Sequence, residues 1–65
     1  MNYVHSLIYT VGSDRLEVVV PYSDKKQIWI SHEDFHKRTD IVLNIPEATK
    51  LYNMLGETLN FCKNE

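Results

Sequence analysis

The hydrophobic positions in the last third of the chain follow the period of an α-helix. Apolar residues recur at steps of three and four, so they fall on one side of a helix, and mostly polar residues fall on the other. The stretch opens with Asn44-Ile45-Pro46-Glu47, a polar residue followed by a proline and an acid, which is typical of a helix N-terminus. We therefore predict an amphipathic helix over residues 44–63. Its apolar side consists of Leu51, Tyr52, Leu55, Leu59 and Cys62.

The first part of the chain predicts a β-hairpin. Residues 3–11 and 15–20 are rich in β-branched and aromatic types, and the intervening Gly12-Ser13-Asp14 is a turn signal. A two-residue turn at Gly12-Ser13, with a positive φ at the glycine, would place Leu7 opposite Val18. Directly opposed residues share a sheet face. The face expected against the helix then contains Leu7, Tyr9, Val11, Leu16, Val18 and Val20.

Two further strands are predicted at residues 27–31 and 40–45, separated from the hairpin by a connection at residues 21–26. The charged segment 32–39 is a long loop, a strand extension or a turn of helix. Ile41, Leu43 and Ile45 lie on one face of the fourth strand, which can join the core. The sequence thus predicts one α+β domain over residues 1–65, a four-stranded antiparallel meander with the C-terminal helix packed on one sheet face (β-β-β-β-α).

The opposite sheet face is expected to carry apolar side chains that no second layer covers. An exposed apolar patch on a small protein usually marks a partner surface, and tryptophan is enriched among residues that dominate binding. In the alternative, Trp29 joins the core and Ile28 and Ile30 point outward, because a shift of one residue reverses every assignment on a strand. Val4 would lie on the uncovered face, and the candidate partner-binding residues are Ile8, Val19, Trp29 and Val42.

A chain of 65 residues buries only about 60% of its unfolded surface, so its core needs a supplement. Cys62 is the only cysteine, which excludes an intrachain disulfide and a four-thiolate zinc site. Self-association is the remaining common supplement. We therefore expect a homodimer, or a module that binds another protein as a regulator, inhibitor or accessory subunit.

The same features suggest a compartment. A lone cysteine fits a reducing setting, and we see neither a signal peptide nor an apolar run near the roughly 20 residues of a membrane helix. We expect a cytoplasmic protein that does not enter membranes.

Four strands followed by a helix, with the junction Ile41-Val42-Leu43-Asn44-Ile45-Pro46-Glu47, resemble the transcriptional-coactivator family of single-stranded-DNA-binding proteins. The resemblance implies a small dimer whose curved sheet grips the strand. Tyr3, Tyr9, Tyr22 and Trp29 would then stack on bases. Seven Lys and Arg against nine Asp and Glu, a net charge of −2, do not favour that activity. The basic candidates for nucleic-acid binding are Arg15, Lys25, Lys26, Lys37 and Arg38.

His32-Glu33-Asp34-Phe35-His36 spells the H-E-x-x-H signature of zinc peptidases. That chemistry needs both imidazoles one helical turn apart, a third protein ligand and a substrate cleft. The segment follows a strand in a chain too short for a cleft, so we interpret it as a solvated charged loop rather than a metal site. No other set of residues indicates catalysis or a cofactor, and Cys62 is expected to be a buried small hydrophobe.

Overall fold

The computed structural model describes residues 3–64, which form four strands and one helix. The strands pair in sequence order as a single antiparallel sheet, so each strand neighbours the next along the chain. This confirms the predicted β-β-β-β-α class. The elements are β1 (Tyr3–Val11), β2 (Asp14–Pro21), β3 (Gln27–Glu33), β4 (Arg38–Asn44) and α1 (Ile45–Lys63).

The β1–β2 hairpin has the predicted register. Leu7 lies opposite Val18, and Thr10 lies opposite Arg15 at the closed end. Gly12 in the turn has a φ of 59°, the left-handed conformation that glycine adopts without a steric penalty. The turn chemistry and the hydrophobic alternation therefore specify the same pairing.

The hairpin has one irregularity, near its open end. Tyr3 pairs with Pro21, whereas His5 pairs with Val20, so β1 carries one extra residue at Val4. A β-bulge of this kind changes the face on which the preceding side chain lies. Tyr3 consequently shares a sheet face with Trp29 instead of following the other odd-numbered residues of β1.

The charged segment after β3 is mostly strand. β3 continues through Glu33 and β4 begins at Arg38, so of the three alternatives for residues 32–39 the structure shows a strand extension. Only four residues form the turn, in which the backbone N–H of Asp34 donates to the Lys37 carbonyl at 3.0 Å.

Cross-strand pairing assigns the side chains to two faces. Val19, Trp29 and Val42 form one row across β2, β3 and β4, so these three side chains share a face as predicted. We call this side the Trp29 face; it also carries Ser6, Ile8, Thr10, Arg15, Glu17, Ser31, Glu33, Arg38 and Asp40. The other side, the Leu7 face, carries His5, Leu7, Tyr9, Val11, Asp14, Leu16, Val18, Val20, Ile28, Ile30, His32, Thr39, Ile41 and Leu43.

The helix begins where β4 ends, without a connecting loop. Asn44 is both the last residue of β4 and the N-cap of α1. Its side-chain Oδ1 accepts the Glu47 N–H at 2.8 Å, and the Glu47 carboxylate accepts the Asn44 N–H at 3.0 Å. This reciprocal capping box, with Pro46 in the first turn, fixes the start of the helix.

The position of the helix differs from the prediction. Within residues 3–64, α1 approaches β3 and β4 but neither β1 nor β2, and none of its residues is buried. The radius of gyration is 13.5 Å, whereas a compact domain of this length has about 11 Å. The helix therefore extends from one side of the sheet instead of covering a whole face. Around Gly56 no atom lies within 4 Å of where a Cβ would be, so this glycine is tolerated rather than required by packing.

The core of the described chain is very small. Val19 and Pro21 are its only buried residues, and Val19 is 4% exposed. The interior of β2 and β3 is half-buried, whereas large apolar side chains on β1, β4 and α1 are exposed. A single layer of sheet with a projecting helix leaves most of its apolar surface in water.

The capping box gives a direct test of the β4–α1 junction. Replacing Asn44 by alanine removes the acceptor for the Glu47 N–H, and we expect it to lower the free energy of unfolding by about 1 kcal/mol. Asn53→Ala, an exposed position in the middle of the same helix, is the matched control and should be neutral or slightly stabilising. Urea unfolding of both variants measures the difference. Equal stability of the two variants would contradict the assigned cap.

Candidate interaction surfaces

The Trp29 face holds the four predicted partner-binding residues, but not as a fully exposed patch. Ile8 and Val42 are exposed, while Trp29 is half-buried. Val19 is buried, so the expectation that its side chain is open to a partner is wrong. The pleat places Val19 on this face as predicted, but the neighbouring side chains cover it.

Tyr3 also lies on this face, a position that the alternation of β1 does not predict. Its ring meets the Trp29 ring edge-to-face, with centroids 6.3 Å apart and an interplanar angle of 80°. The indole N–H of Trp29 donates to the Gln27 side-chain oxygen at 3.1 Å. The Trp29 ring packs against Tyr3 and its N–H is hydrogen-bonded to Gln27. Trp29 is therefore held in place by two neighbours instead of being free to stack on a base. The bulge at Val4 that brings Tyr3 here has no clear signal in the sequence.

A shallow groove of about 310 Å³ runs beside this aromatic pair, with walls that include Tyr3, Trp29 and Val42. It continues into a polar depression of about 250 Å³ bordered by Arg15 and Glu33. The face therefore changes from apolar near Trp29 to charged near the β3–β4 turn. It can accept a partner side chain, but it is open and has no enclosed pocket for a small molecule.

The two arginines on the Trp29 face are paired with carboxylates. Arg15 Nη2 lies 3.6 Å from Glu17, and Arg38 Nε donates to Asp40 at 3.0 Å. Asp40 raises the pKa of Arg38, and the Ser31 hydroxyl and then Arg38 lower the pKa of Asp40. These cations are thus engaged within the sheet, which weakens the case for phosphate contacts.

The predicted lysines do not extend this basic surface. Lys25 and Lys26 lie in the β2–β3 connection and Lys37 in the β3–β4 turn, so they stand at opposite ends of β3. Seven strand residues separate the two sites, which corresponds to roughly 20 Å. The basic candidates therefore form no continuous track for a single strand.

The Leu7 face is the larger uncovered apolar surface. Leu7 is 62% exposed and Tyr9 is 66% exposed, and Val11, Leu16 and Ile41 are also exposed. We expected the helix to cover these side chains, but α1 does not reach β1 or β2. The face predicted to form the core is thus largely exposed in the described chain.

The apolar side of α1 is uncovered as well. Only Ala48 and Leu51 are half-buried among its residues, while Leu55 and Leu59 are more than half exposed. Cys62 is exposed too, which corrects the expectation of a buried thiol. The helix has an amphipathic sequence but lacks the packed neighbour that such a sequence requires.

The H-E-x-x-H segment lies at a strand end and a turn, not on a helix. His32 is on β3 opposite Thr39, and His36 lies in the following turn. The residues 3–64 include no group of three or more His, Cys, Asp or Glu placed to hold a metal ion. The two histidines therefore lack the one-turn helical spacing on which the zinc chemistry depends.

Asp34 organises that turn. Its Oδ1 accepts the backbone N–H groups of His36 at 2.8 Å and Lys37 at 2.9 Å. These bonds, the one from Lys37 first, lower the pKa of Asp34 from its ordinary value of 3.8. They satisfy the carboxylate locally, so Asp34 is accounted for as a structural residue of the turn.

Comparisons with models of protein families, with curated proteins and with solved structures gave no match to this chain. Among the described elements, no helix is both long and apolar enough to cross a membrane.

The turn predicts a pH dependence. The lowered pKa means that the ionised Asp34 stabilises the folded chain above about pH 3.8, and that this contribution is lost as the pH falls through the lowered value. Asp34→Asn keeps an acceptor oxygen but removes the charge, so its thermal midpoint should lie below wild type at pH 7. The two midpoints should converge in acid.

Thermal melts from pH 7 to pH 2 test this expectation, with Glu57→Gln on the exposed side of α1 as the control. The control should follow the wild-type profile throughout. A constant difference between Asp34→Asn and wild type at all pH values would contradict the role of the charge.

The paired arginines predict that the wild type does not bind nucleic acid measurably. We expect no measurable affinity of the wild type for a short single-stranded oligonucleotide at low salt, because carboxylates neutralise Arg15 and Arg38. The double variant Glu17→Gln/Asp40→Asn releases both guanidinium groups and should bind more strongly than wild type. Fluorescence anisotropy measures both. Wild-type binding that weakens steeply with added salt would show that the pairing does not suppress phosphate contacts.

Proposed function

We propose that this chain is a non-enzymatic protein-interaction module whose folded unit is a homodimer. The observation that supports this most directly is the burial pattern. Val19 is the only buried hydrophobic side chain in the described part of the chain, and the apolar sides of both the sheet and the helix are open. A domain held by burial of apolar surface needs more than this to offset its loss of conformational entropy.

The surface area supports association on a defined scale. The chain exposes 5609 Å², whereas a folded monomer of 7.7 kDa exposes about 4,300 Å². The excess is roughly 1,300 Å² per chain, so two chains that removed it would bury about 2,600 Å² together. That area lies within the range of obligate homodimers, roughly 2,000–5,000 Å².

A second copy of the chain is the simplest partner for this surface. Most soluble oligomers are symmetric homo-oligomers, and two-fold dimers are the commonest among them. A two-fold axis also covers the same apolar residues on both chains at once, so neither copy keeps an open core. A dimer of this kind needs no disulfide, which agrees with the single cysteine and with a cytoplasmic setting.

The Trp29 face would then remain available for a different protein. Ile8 and Val42 are exposed there, and the groove beside Trp29 can receive a side chain. A dimer carrying two such faces would work as a regulator, an inhibitor or an accessory subunit. We propose this second contact for Ile8, Trp29 and Val42, with Val19 supporting them from beneath.

Coupling of folding to association predicts that thermal stability depends on concentration. When dimers dissociate as they unfold, a tenfold rise in protein concentration contributes about 1.4 kcal/mol per dimer. For 130 residues this raises the thermal midpoint by about 5 °C. Melting followed by circular dichroism at several concentrations over a hundredfold range tests it. A midpoint that does not change over that range would contradict the obligate homodimer.

A further inference from the structure

We propose that in the homodimer each protomer lays α1 across the Leu7 face of its partner, at β1 and β2. The contact is reciprocal, so each sheet receives a helix and each helix finds a sheet. This inference rests on the homodimer proposed above and specifies which surfaces meet.

The C-terminal half of α1 is exposed. The capping end of α1 is near β3 and β4, and its only half-buried residues, Ala48 and Leu51, are in the first two turns. Beyond them Leu55 is 52% exposed and Leu59 is 55% exposed, on the same side as Leu51. The last three turns therefore present an apolar stripe with nothing against it.

The β1–β2 half of the sheet has no contact with α1. β1 and β2 have no helix above them, and Leu7 and Tyr9 are among the most exposed apolar side chains of the sheet. From Tyr3 to Val11, β1 has no Lys, Arg, Asp or Glu. This patch is two strands wide and apolar except for His5 and Asp14 at its two ends, and such a surface is the kind on which the apolar stripe of a helix packs.

Within one chain, the apolar stripe of α1 does not reach β1 and β2. Because Asn44 ends β4 and caps α1, no loop lies between them, and the capping box fixes the direction in which the helix leaves. Turning α1 back over β1 and β2 would require a change of the backbone at this loop-free junction. A second chain related by a two-fold axis can supply its helix without that change.

The apolar stripe of α1 matches the surface of β1 and β2 in chemistry and in length. The 19 residues of α1 span about 28 Å, enough to cross two neighbouring strands and continue along them. The polar residues of the helix lie away from the stripe, so docking the stripe buries few charges. Two helix-on-sheet contacts per dimer also use both open apolar surfaces, as the excess area of roughly 1,300 Å² per chain requires. A helix-to-helix contact would leave Leu7 and Tyr9 exposed.

Two charged variants test the reciprocal contact between α1 and the partner's Leu7 face. The helix variant is Leu55→Lys/Leu59→Lys, and the sheet variant is Leu7→Glu/Tyr9→Glu. All four positions are exposed in the protomer, so the changes remove little from its own core. Each variant alone should lose dimer affinity by roughly 100-fold or more, because both halves of its interface bury unpaired charges.

Mixing the two variants in equal amounts should restore a dimer. The heterodimer has one helix-on-sheet contact that is wild type on both sides, and one in which lysines face glutamates. Sedimentation velocity gives the dimer fraction, and helical circular dichroism reports recovery even where a variant alone does not fold. The control Asn53→Lys/Asn60→Lys, on the polar side of α1, should dimerise as the wild type does.

The outcomes separate the two proposals. A wild type that is monomeric overturns the homodimer itself. If the wild type is dimeric, the homodimer stands and only the reciprocal helix-on-sheet contact is in question. That contact is contradicted if the helix variant or the sheet variant still dimerises, or if the mixture of the two fails to recover a dimer. Loss in the helix variant alone would indicate helix-to-helix contact, and loss in the sheet variant alone would indicate sheet-to-sheet contact.

Discussion

The junction between β4 and α1 determines which surfaces of this protein stay open. Asn44 ends the strand and caps the helix, and its reciprocal hydrogen bonds with Glu47 leave no loop through which the helix could turn back. The helix consequently approaches β3 and β4 alone, and the apolar side chains of β1 and β2 have no cover from their own chain. A local feature of a few residues thus accounts for the small core and for the open apolar surface.

Local features of the sequence predicted most of the backbone. The glycine turn, with φ of 59° at Gly12, and the alternation of β1 and β2 gave the observed hairpin register, and Asn44 with Pro46 gave the helix start. The strand ends around Asp34 were predicted less well, because a charged segment that pairs in a sheet has the composition of a loop. Side-chain periodicity predicts which residues share a face, and the pairing of β2, β3 and β4 confirms it, whereas the bulge in β1 changes the face of Tyr3.

Burial could not be predicted in the same way, because it depends on how elements sit against one another. Val19 belongs to the predicted face but is buried, and a bulge at Val4 places Tyr3 beside Trp29 on that face. Cys62 belongs to the apolar side of the helix but is exposed, since α1 approaches only β3 and β4 and does not cover a whole sheet face. We therefore propose different partners for the two faces of the sheet. The Leu7 face would contact a second copy of the chain, and the Trp29 face would contact a different protein.

The central claim is that this chain completes its core only with a second copy of itself, and the mass in solution tests it most directly. Sedimentation equilibrium at several micromolar concentrations should give about 15 kDa, twice the 7.7 kDa of one chain, with dissociation on dilution accompanied by loss of structure. A well-folded species of one chain's mass, unchanged across those concentrations, would contradict the account.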